Sequence, residues 1–451
     1  MDKKENNAIV VYGGPLFDGI NKVYEDGAVY VKNGKIVMVG DESAVFPKIT
    51  GSEKVDIYDT QGKVILPGLI NLHHHFYSAL AKGLSPIAPV TNFQECLEHL
   101  WWRLDKALDP EAIQLSALLS LLDCIQAGVT TVFDHHASPA HIKGSLDAIA
   151  SVVERSGLRA CLCYEVSDRD GERIFERGLD ENLTFIEAHR DHKHLRGTLG
   201  LHANFTLSEK SLTEITRRYD PEVGLHIHCA EDKIDLEFCR ELGYAGAADR
   251  LKNFGLLGKK SILAHGIHLS PEELAIVAQA HSVIVHNPES NMNNGVGRLD
   301  LPLVEGVSVG LGTDGMTSAM LATLRSGYLA QRQAGVANPL IFDYLPRCLF
   351  KTNAAIASRF FDCKLGQIAP DAAADLAVFD YVPVTPINAT NINGHILYGM
   401  YNSRVTMVMV DGQRVFDDGV FLTLDEELIR DEARKASQRV WNQFLKTEKT
   451  K

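Results

Sequence analysis

Val64-Ile65-Leu66-Pro67-Gly68-Leu69-Ile70-Asn71-Leu72-His73-His74-His75 is the run on which the reading of this chain turns. Val64 to Leu66 and Leu69 to Leu72 are largely apolar, with a Pro-Gly break between them, so the run reads as buried strand bounded by turn residues. Side chains alternate along a strand, which puts His73 and His75 on one face and His74 on the other. Two imidazoles on one face of a strand end can grip one metal ion. Whether they do depends on companions further along the chain.

Upstream, residues 8–12, 27–31, 35–40 and 55–59 read as strands, and Asn33-Gly34 is a hairpin turn. Residues 1–66 thus predict part of a small β domain. Beyond Leu69, strands alternate with helices. Residues 111–127 predict a helix closed by Gly128, 129–134 a strand leading into His135 and His136, and 146–155 a second helix. Further strands are expected at 158–165, 198–205, 224–228, 261–265, 282–286 and 307–314. Eight strand-like runs with helical spacers predict an α/β fold, a (β/α)8 TIM barrel over 67–365. After 366 the strands at 375–380, 405–410 and 413–416 should join 1–66, so that 1–66 and 366–423 form one small discontinuous β-sandwich domain from both chain ends. Residues 424–451 should hold a closing helix, over 424–444.

The chain has 451 residues, 45% hydrophobic, with a formal net charge of −13. That composition supports a large core and excludes global disorder. No basic patch with interleaved aromatics occurs, which argues against nucleic acid or an anionic membrane as partner. The acidic segment 424–430 reads as a solvated helix face. Residues 1–7 are polar and lack the apolar core of a signal peptide, and no apolar run has the length to span a bilayer. The eight cysteines include no Cys-x-x-Cys pair; they read as reduced thiols filling core positions, and a cytoplasmic location is expected. A phosphate loop, a His-Glu-x-x-His helix, a Gly-x-Ser-x-Gly elbow and the Pro-Cys-x-x-Cys deaminase pattern are all missing.

Active sites of such barrels sit at the C-terminal ends of the strands. The residues expected there are His73 and His75 on strand one, His228 with Glu231 on strand five, His265 on strand six and Asp314 on strand eight. Three imidazoles and a carboxylate suit Zn²⁺ or another first-row divalent ion. Such an ion lowers the pKa of a bound water to about 7. Asp314 can bind metal and accept the water's proton, Glu231 can carry it to a leaving nitrogen, and His265 can polarise the reacting group or hold the hydroxide. That combination hydrolyses an sp² carbon bonded to nitrogen.

The motifs Leu66-Pro67-Gly68-Leu69-Ile70-Asn71-x-His73-x-His75, His226-Ile227-His228-Cys229-Ala230-Glu231, Leu263-Ala264-His265-Gly266, His286-Asn287-Pro288-Glu289-Ser290-Asn291 and Gly312-Thr313-Asp314-Gly315 resemble the amidohydrolase superfamily, as does Ala373-Ala374-Asp375-Leu376-Ala377-Val378. The resemblance is to its cytosine, guanine and S-adenosylhomocysteine deaminases and triazine hydrolases, and it spans nearly the whole chain. It implies His73, His75, His228 and Asp314 as metal ligands, with Glu231 and His265 as the catalytic pair. It also implies a metal-dependent hydrolase of carbon–nitrogen bonds other than peptide bonds, an aminohydrolase acting on a purine-, pyrimidine- or triazine-like heterocycle. A homo-oligomer, dimer or tetramer, is a further implication.

Binuclear members carry a carboxylated lysine at the end of strand four. Here that strand reads Gly200-Leu201-His202-Ala203-Asn204-Phe205, with no lysine, so one divalent ion is expected, Zn²⁺ with Fe²⁺ also compatible. Glu165 could hold a second ion or pair with Arg169. His202, His136, Trp102 and Glu165 are the candidates for contacting substrate, Trp101 and Trp102 as a wall for a flat ring. His226 reads as a packed residue, and His286 and Asn291 as residues shaping a loop. Two alternatives share the fold: ring opening of a cyclic amide on a purine-like substrate, and a non-catalytic scaffold.

Overall fold

The computed structural model describes residues 8–49, 54–304 and 306–447. The polar segment 1–7 and the last four residues of the 424–451 segment lie outside the described residues. The His-rich run splits into two strands in two different sheets. Val64–Pro67 pairs antiparallel with Leu376–Phe379, whereas Leu69–His74 runs parallel to Val129–His136. Gly68 is the corner between them. A Cβ there would meet Thr130 Oγ1 at 2.3 Å, so only glycine lets the backbone pass.

Both chain ends meet in one hydrogen-bonded sheet of nine strands. Ala8–Phe17, Val23–Lys32, Lys35–Asp41, Val55–Asp59 and Val64–Pro67 come from the N-terminal side. Leu376–Phe379, Val405–Val410, Gln413–Asp417 and Val420–Phe421 come from the other. Asn33 and Gly34, with φ of 51° and 77°, make the two-residue hairpin. The closing helix is Glu426–Lys446, capped by the Asp425 carboxylate. It is tied to the barrel by Arg103 Nη2 on the Phe444 carbonyl at 2.9 Å and Trp441 Nε1 on that of Leu80 at 2.8 Å.

The barrel strands are Leu69–His74, Val129–His136, Arg159–Tyr164, Leu195–Gly197 continuing as Leu199–Ala203, Leu225–Cys229, Ile262–His265, Val283–His286 and Ser308–Leu311, all paired in parallel. The fourth differs from the single run expected over 198–205. It breaks at Thr198, its first half bonded to strand three and its second to strand five. Strand eight stops at Leu311, short of Asp314. Two seams result, and each is bridged. Between strands three and four, Val166 pairs with Leu201; between strands eight and one, His74 pairs with Asp314. At the second seam Thr313 N and Asp314 N both donate to the His73 carbonyl, at 3.0 and 2.9 Å. The hydrogen bonds that close the ring therefore fix the backbones of two candidate ligands.

The N-terminal ends of the strands are shut by the helix Asn353–Phe361. Its Ile356, Phe360 and Phe361 pack with Ile70, Phe133, Ile262 and Val283. Phe360 also lies beneath Gly224 and Lys260, which precede strands five and six. The opposite rim is left for polar groups.

Candidate metal centre and active site

His75 Nδ1 lies 2.5 Å from the His135 carbonyl oxygen, and His228 Nδ1 lies 3.0 Å from that of His202. A carbonyl only accepts, so both rings carry a proton on Nδ1 and turn Nε2 inward. The two Nε2 atoms stand 3.2 Å apart. Asp314 Oδ1 is 2.9 Å from His75 Nε2 and 3.1 Å from His73 Nε2. Three Nε2 atoms and a carboxylate oxygen packed this closely, with no Lys or Arg among them, ask for a positive charge, whether a proton on His75 or a metal ion. Burial opposes charge on His75, yet Asp314 and Glu165 push its pKa up to about 9, while burial holds His73 down at about 3 and lowers His228. One cation at the common focus answers all four groups. The donor set of three imidazoles and one carboxylate fits a first-row divalent ion. His73, His228, His265 and Asp314 also present donor atoms within 4.8 Å of one another.

The proton-handling pair adjoins this focus. Glu231 Oε2 is 3.4 Å from His265 Nε2, which lies 3.9 Å from Asp314 Oδ2. His265 Nδ1 donates to Asn291 Oδ1 at 2.7 Å, which leaves Nε2 bare toward Glu231. One proton shared between Glu231 Oε2 and His265 Nε2 completes this contact. Burial pushes its pKa up to about 7, with His265 opposing and Asp314 adding. Asn294 donates to Glu231 Oε1 at 3.2 Å, and Ser290 Oγ to Asp314 Oδ2 at 2.5 Å. Ala230, His265 and Asp314 have φ of 50°, 75° and 55°. Each such non-glycine residue costs about 1–3 kcal/mol, and strain of this kind collects where function fixes a side chain.

A cavity opens over this floor. Trp101, Trp102, Tyr77, Phe93, Leu97 and Phe205 form its apolar walls, and His75, Glu165, His202, His228, Glu231 and Asp314 reach into it. Trp102 and His202 meet at a ring separation of 5.9 Å. Glu165 is buried, with His135 Nδ1 3.5 Å from one oxygen and the Arg169 guanidinium 3.6 Å from the other. His136, expected as a substrate contact, is not on the cavity wall. It is 1% exposed, with Nε2 on Ser138 Oγ at 2.9 Å and its ring between Tyr77 and Tyr164. The cause is strand alternation: the carbonyl of His135 faces His75, and the next side chain points away.

Sequence reasoning missed several supports. His226 is not merely packed: its Nε2 is 2.8 Å from His73 Nδ1. His135 orients His75 through its carbonyl and turns Nδ1 to Glu165 at 3.5 Å. Ser290 and Asn294 are one helical turn apart, and that i, i+4 spacing in the helix after strand seven was the available signal. Asn291, expected to shape a loop, orients His265.

Comparison with known proteins follows the same lines. The profile described as the Amidohydrolase family matches residues 64–415. The chain is 32% identical over 420 residues to a 5-methylthioadenosine/S-adenosylhomocysteine deaminase of Thermococcus sibiricus, covering 91% of this chain and 92% of that protein. It is 28% identical to a 5'-deoxyadenosine deaminase of Methanocaldococcus jannaschii, covering 92% and 98%. Among solved structures, an adenosine deaminase from Xanthomonas campestris with bound zinc superposes with a TM-score of 0.83 at 20% identity, over 97% of this chain and 99% of that one. An atrazine chlorohydrolase from Arthrobacter aurescens in complex with zinc gives 0.79 at 22% identity, over 95% and 100%.

Proposed function

From the premise that this chain belongs to the amidohydrolase family, we propose that it is a mononuclear aminohydrolase, in which His73, His75, His228 and Asp314 hold one divalent ion, Zn²⁺ in our reading, and Glu231 with His265 moves the protons. Membership makes it a hydrolase of carbon–nitrogen bonds and a deaminase of nitrogen heterocycles. The observation that carries the site assignment is the convergence of His75 Nε2, His228 Nε2 and Asp314 Oδ1 on one buried focus. An ion held there supplies Lewis acidity and water acidified to a pKa of about 7.

The chain's own residues do the rest. Water adds to the amino-bearing ring carbon, the C–NH2 bond breaks, and the products are a ring carbonyl and ammonia. Asp314 Oδ2, kept in place by Ser290 Oγ, accepts a proton from the attacking water. Glu231 carries a proton to the departing nitrogen, its pKa near neutrality allowing it to give and regain that proton. His265 Nε2, aimed by Asn291, holds the oxygen in line. The aromatic walls stack a flat ring and keep bulk water out. The adenosine-derived substrates named for the relatives make 5′-substituted adenosines, adenosine and guanine the first compounds to try, and we propose a homodimer or tetramer as the working assembly. The test is ammonia release by metal-loaded enzyme with these compounds, with the product's ring intact by mass spectrometry. A ring-opened product without ammonia would replace this reading with cyclic amide hydrolysis.

A further inference from the structure

Glu165 and His202 form a second set of convergent acceptors, and no group of the described chain fills the space between them. His202 Nδ1 lies 2.8 Å from Thr206 Oγ1, and the Thr206 hydroxyl gives its own proton to the Ala203 carbonyl at 3.0 Å. Thr206 therefore accepts from His202, which fixes the ring proton on Nδ1 and leaves Nε2 bare. That Nε2 faces Glu165 Oε1 across 4.0 Å, with the two side chains only 7% and 4% exposed, and both border the cavity. Two buried acceptors this close are costly unless donors arrive from elsewhere. Arg169 stands behind Glu165 at 3.6 Å and is itself engaged by Asp105, so it balances charge without filling the gap.

The gap adjoins the reaction centre. Donor atoms of Glu165, His202 and His228 lie within 4.8 Å of one another. A group seated there sits about as close to His228 as these donor atoms sit to one another, which favours a group on the heterocycle over a hydroxyl on a pendant sugar. A second divalent ion is opposed by the Arg169 guanidinium, 3.6 Å from the oxygen that would bind it. What fits is a pair of adjacent N–H donors on the heterocycle itself.

Building on the aminohydrolase reading above, we propose that Glu165 and His202 determine specificity by selecting a ring that carries an N–H beside its amino-bearing carbon, the edge present in guanine and isocytosine and missing from adenine and cytosine. The ring N–H donates to Glu165 and an N–H of the exocyclic amine to His202 Nε2. The ring nitrogen on the far side of the reacting carbon then turns toward Glu231 and His265.

The experiment measures kcat/KM for ammonia release from guanine, 1-methylguanine, isocytosine and adenosine, with metal content determined alongside. A site built to accept an N–H rejects the analogue lacking it strongly, so wild-type enzyme should favour guanine over 1-methylguanine by about 100-fold or more. Glu165→Gln should reduce that ratio to below about tenfold while keeping one metal per chain, because a neutral amide accepts the ring N–H of guanine more weakly than a carboxylate does, and the guanine rate falls toward that of 1-methylguanine. Equal rates on guanine and 1-methylguanine would overturn the proposal using wild-type protein alone, as would two metals per chain with one lost in Glu165→Gln. Ammonia release from adenosine with no release from guanine or isocytosine would sink the specificity proposal and leave the aminohydrolase reading standing. Release from none of the four would sink both.

Discussion

A carboxylic acid that shuttles a proton works best with a pKa near neutrality and no Lys or Arg ion pair, and Glu231 meets both conditions among the described residues. Burial lifts its pKa to about 7, and its neighbours are Asn294, at 3.2 Å, and the bare His265 Nε2, at 3.4 Å. Glu231→Gln keeps the shape and removes the proton, so metal content should stay at the wild-type level while kcat falls by about 10²–10⁴-fold; normal turnover in that variant would remove Glu231 from the mechanism. His228→Ala should instead lose metal, read by elemental analysis after dialysis against chelator. His226 acts one layer deeper. Its Nε2 at 2.8 Å from His73 Nδ1 sets the tilt of that ring. His226→Phe should therefore weaken metal affinity by about 10–100-fold with the fold intact, measured by competition with a chromophoric chelator.

At the scale of elements, the barrel is closed by two asparagines where backbone pairing gives out. Asn353 Nδ2 donates to the carbonyls of Ile70 and Leu311, both at 2.8 Å, and its Oδ1 accepts from Leu311 N at 2.9 Å, joining strands one and eight. Asn182 bridges strands three and four, accepting from Tyr164 N at 2.8 Å and donating to Tyr164 O at 2.7 Å and Gly200 O at 3.4 Å. Each seam would otherwise leave peptide groups buried without partners, at about 1–3 kcal/mol apiece. Asn353→Leu should accordingly cost about 3 kcal/mol or more, seen as a lower midpoint in urea, and should loosen Asp314, which lies three residues past Leu311. The eight strand positions were legible because each is a short apolar run ending in a polar group. The seams were not, because Asn182 and Asn353 sit in helical stretches where an amide signals nothing. The break at Thr198 was invisible for a related reason: it is imposed by which neighbour each half of the strand meets, not by local composition. The His-x-His pair could be found from strand-end position and Asp314 from its place just past a strand, whereas His135 and His226, equally buried, act through a backbone carbonyl and a ring-to-ring contact that need coordinates.

Across the whole molecule, the end sheet and the barrel are joined by charge as well as by the Gly68 corner. Arg159, at the start of barrel strand three and 1% exposed, reaches Asp375 and Asp411 of the end sheet, the latter at 2.5 Å. Asp411 also accepts from His194 Nε2 and Lys193 Nζ, each at 2.6 Å. Burial works against charge on Asp411, but His194, Arg159 and Lys193 outweigh it and hold the carboxyl well below the usual range. A carboxyl whose folded pKa lies below its unfolded one binds fewer protons when folded. Its contribution is therefore complete above the unfolded value of about 3.9 and drains away as the pH falls toward the folded one. Asp411→Asn leaves Arg159 short of one counter-charge in a buried setting, a loss of about 3–5 kcal/mol at neutral pH. The variant has no proton to gain at that position, so its melting temperature should fall less than wild type between about pH 5 and pH 3. The two curves should converge in acid. Parallel curves over that range would mean that Asp411 titrates alike in the folded and unfolded chain, and that the contact between sheet and barrel rests on packing instead of on this cluster.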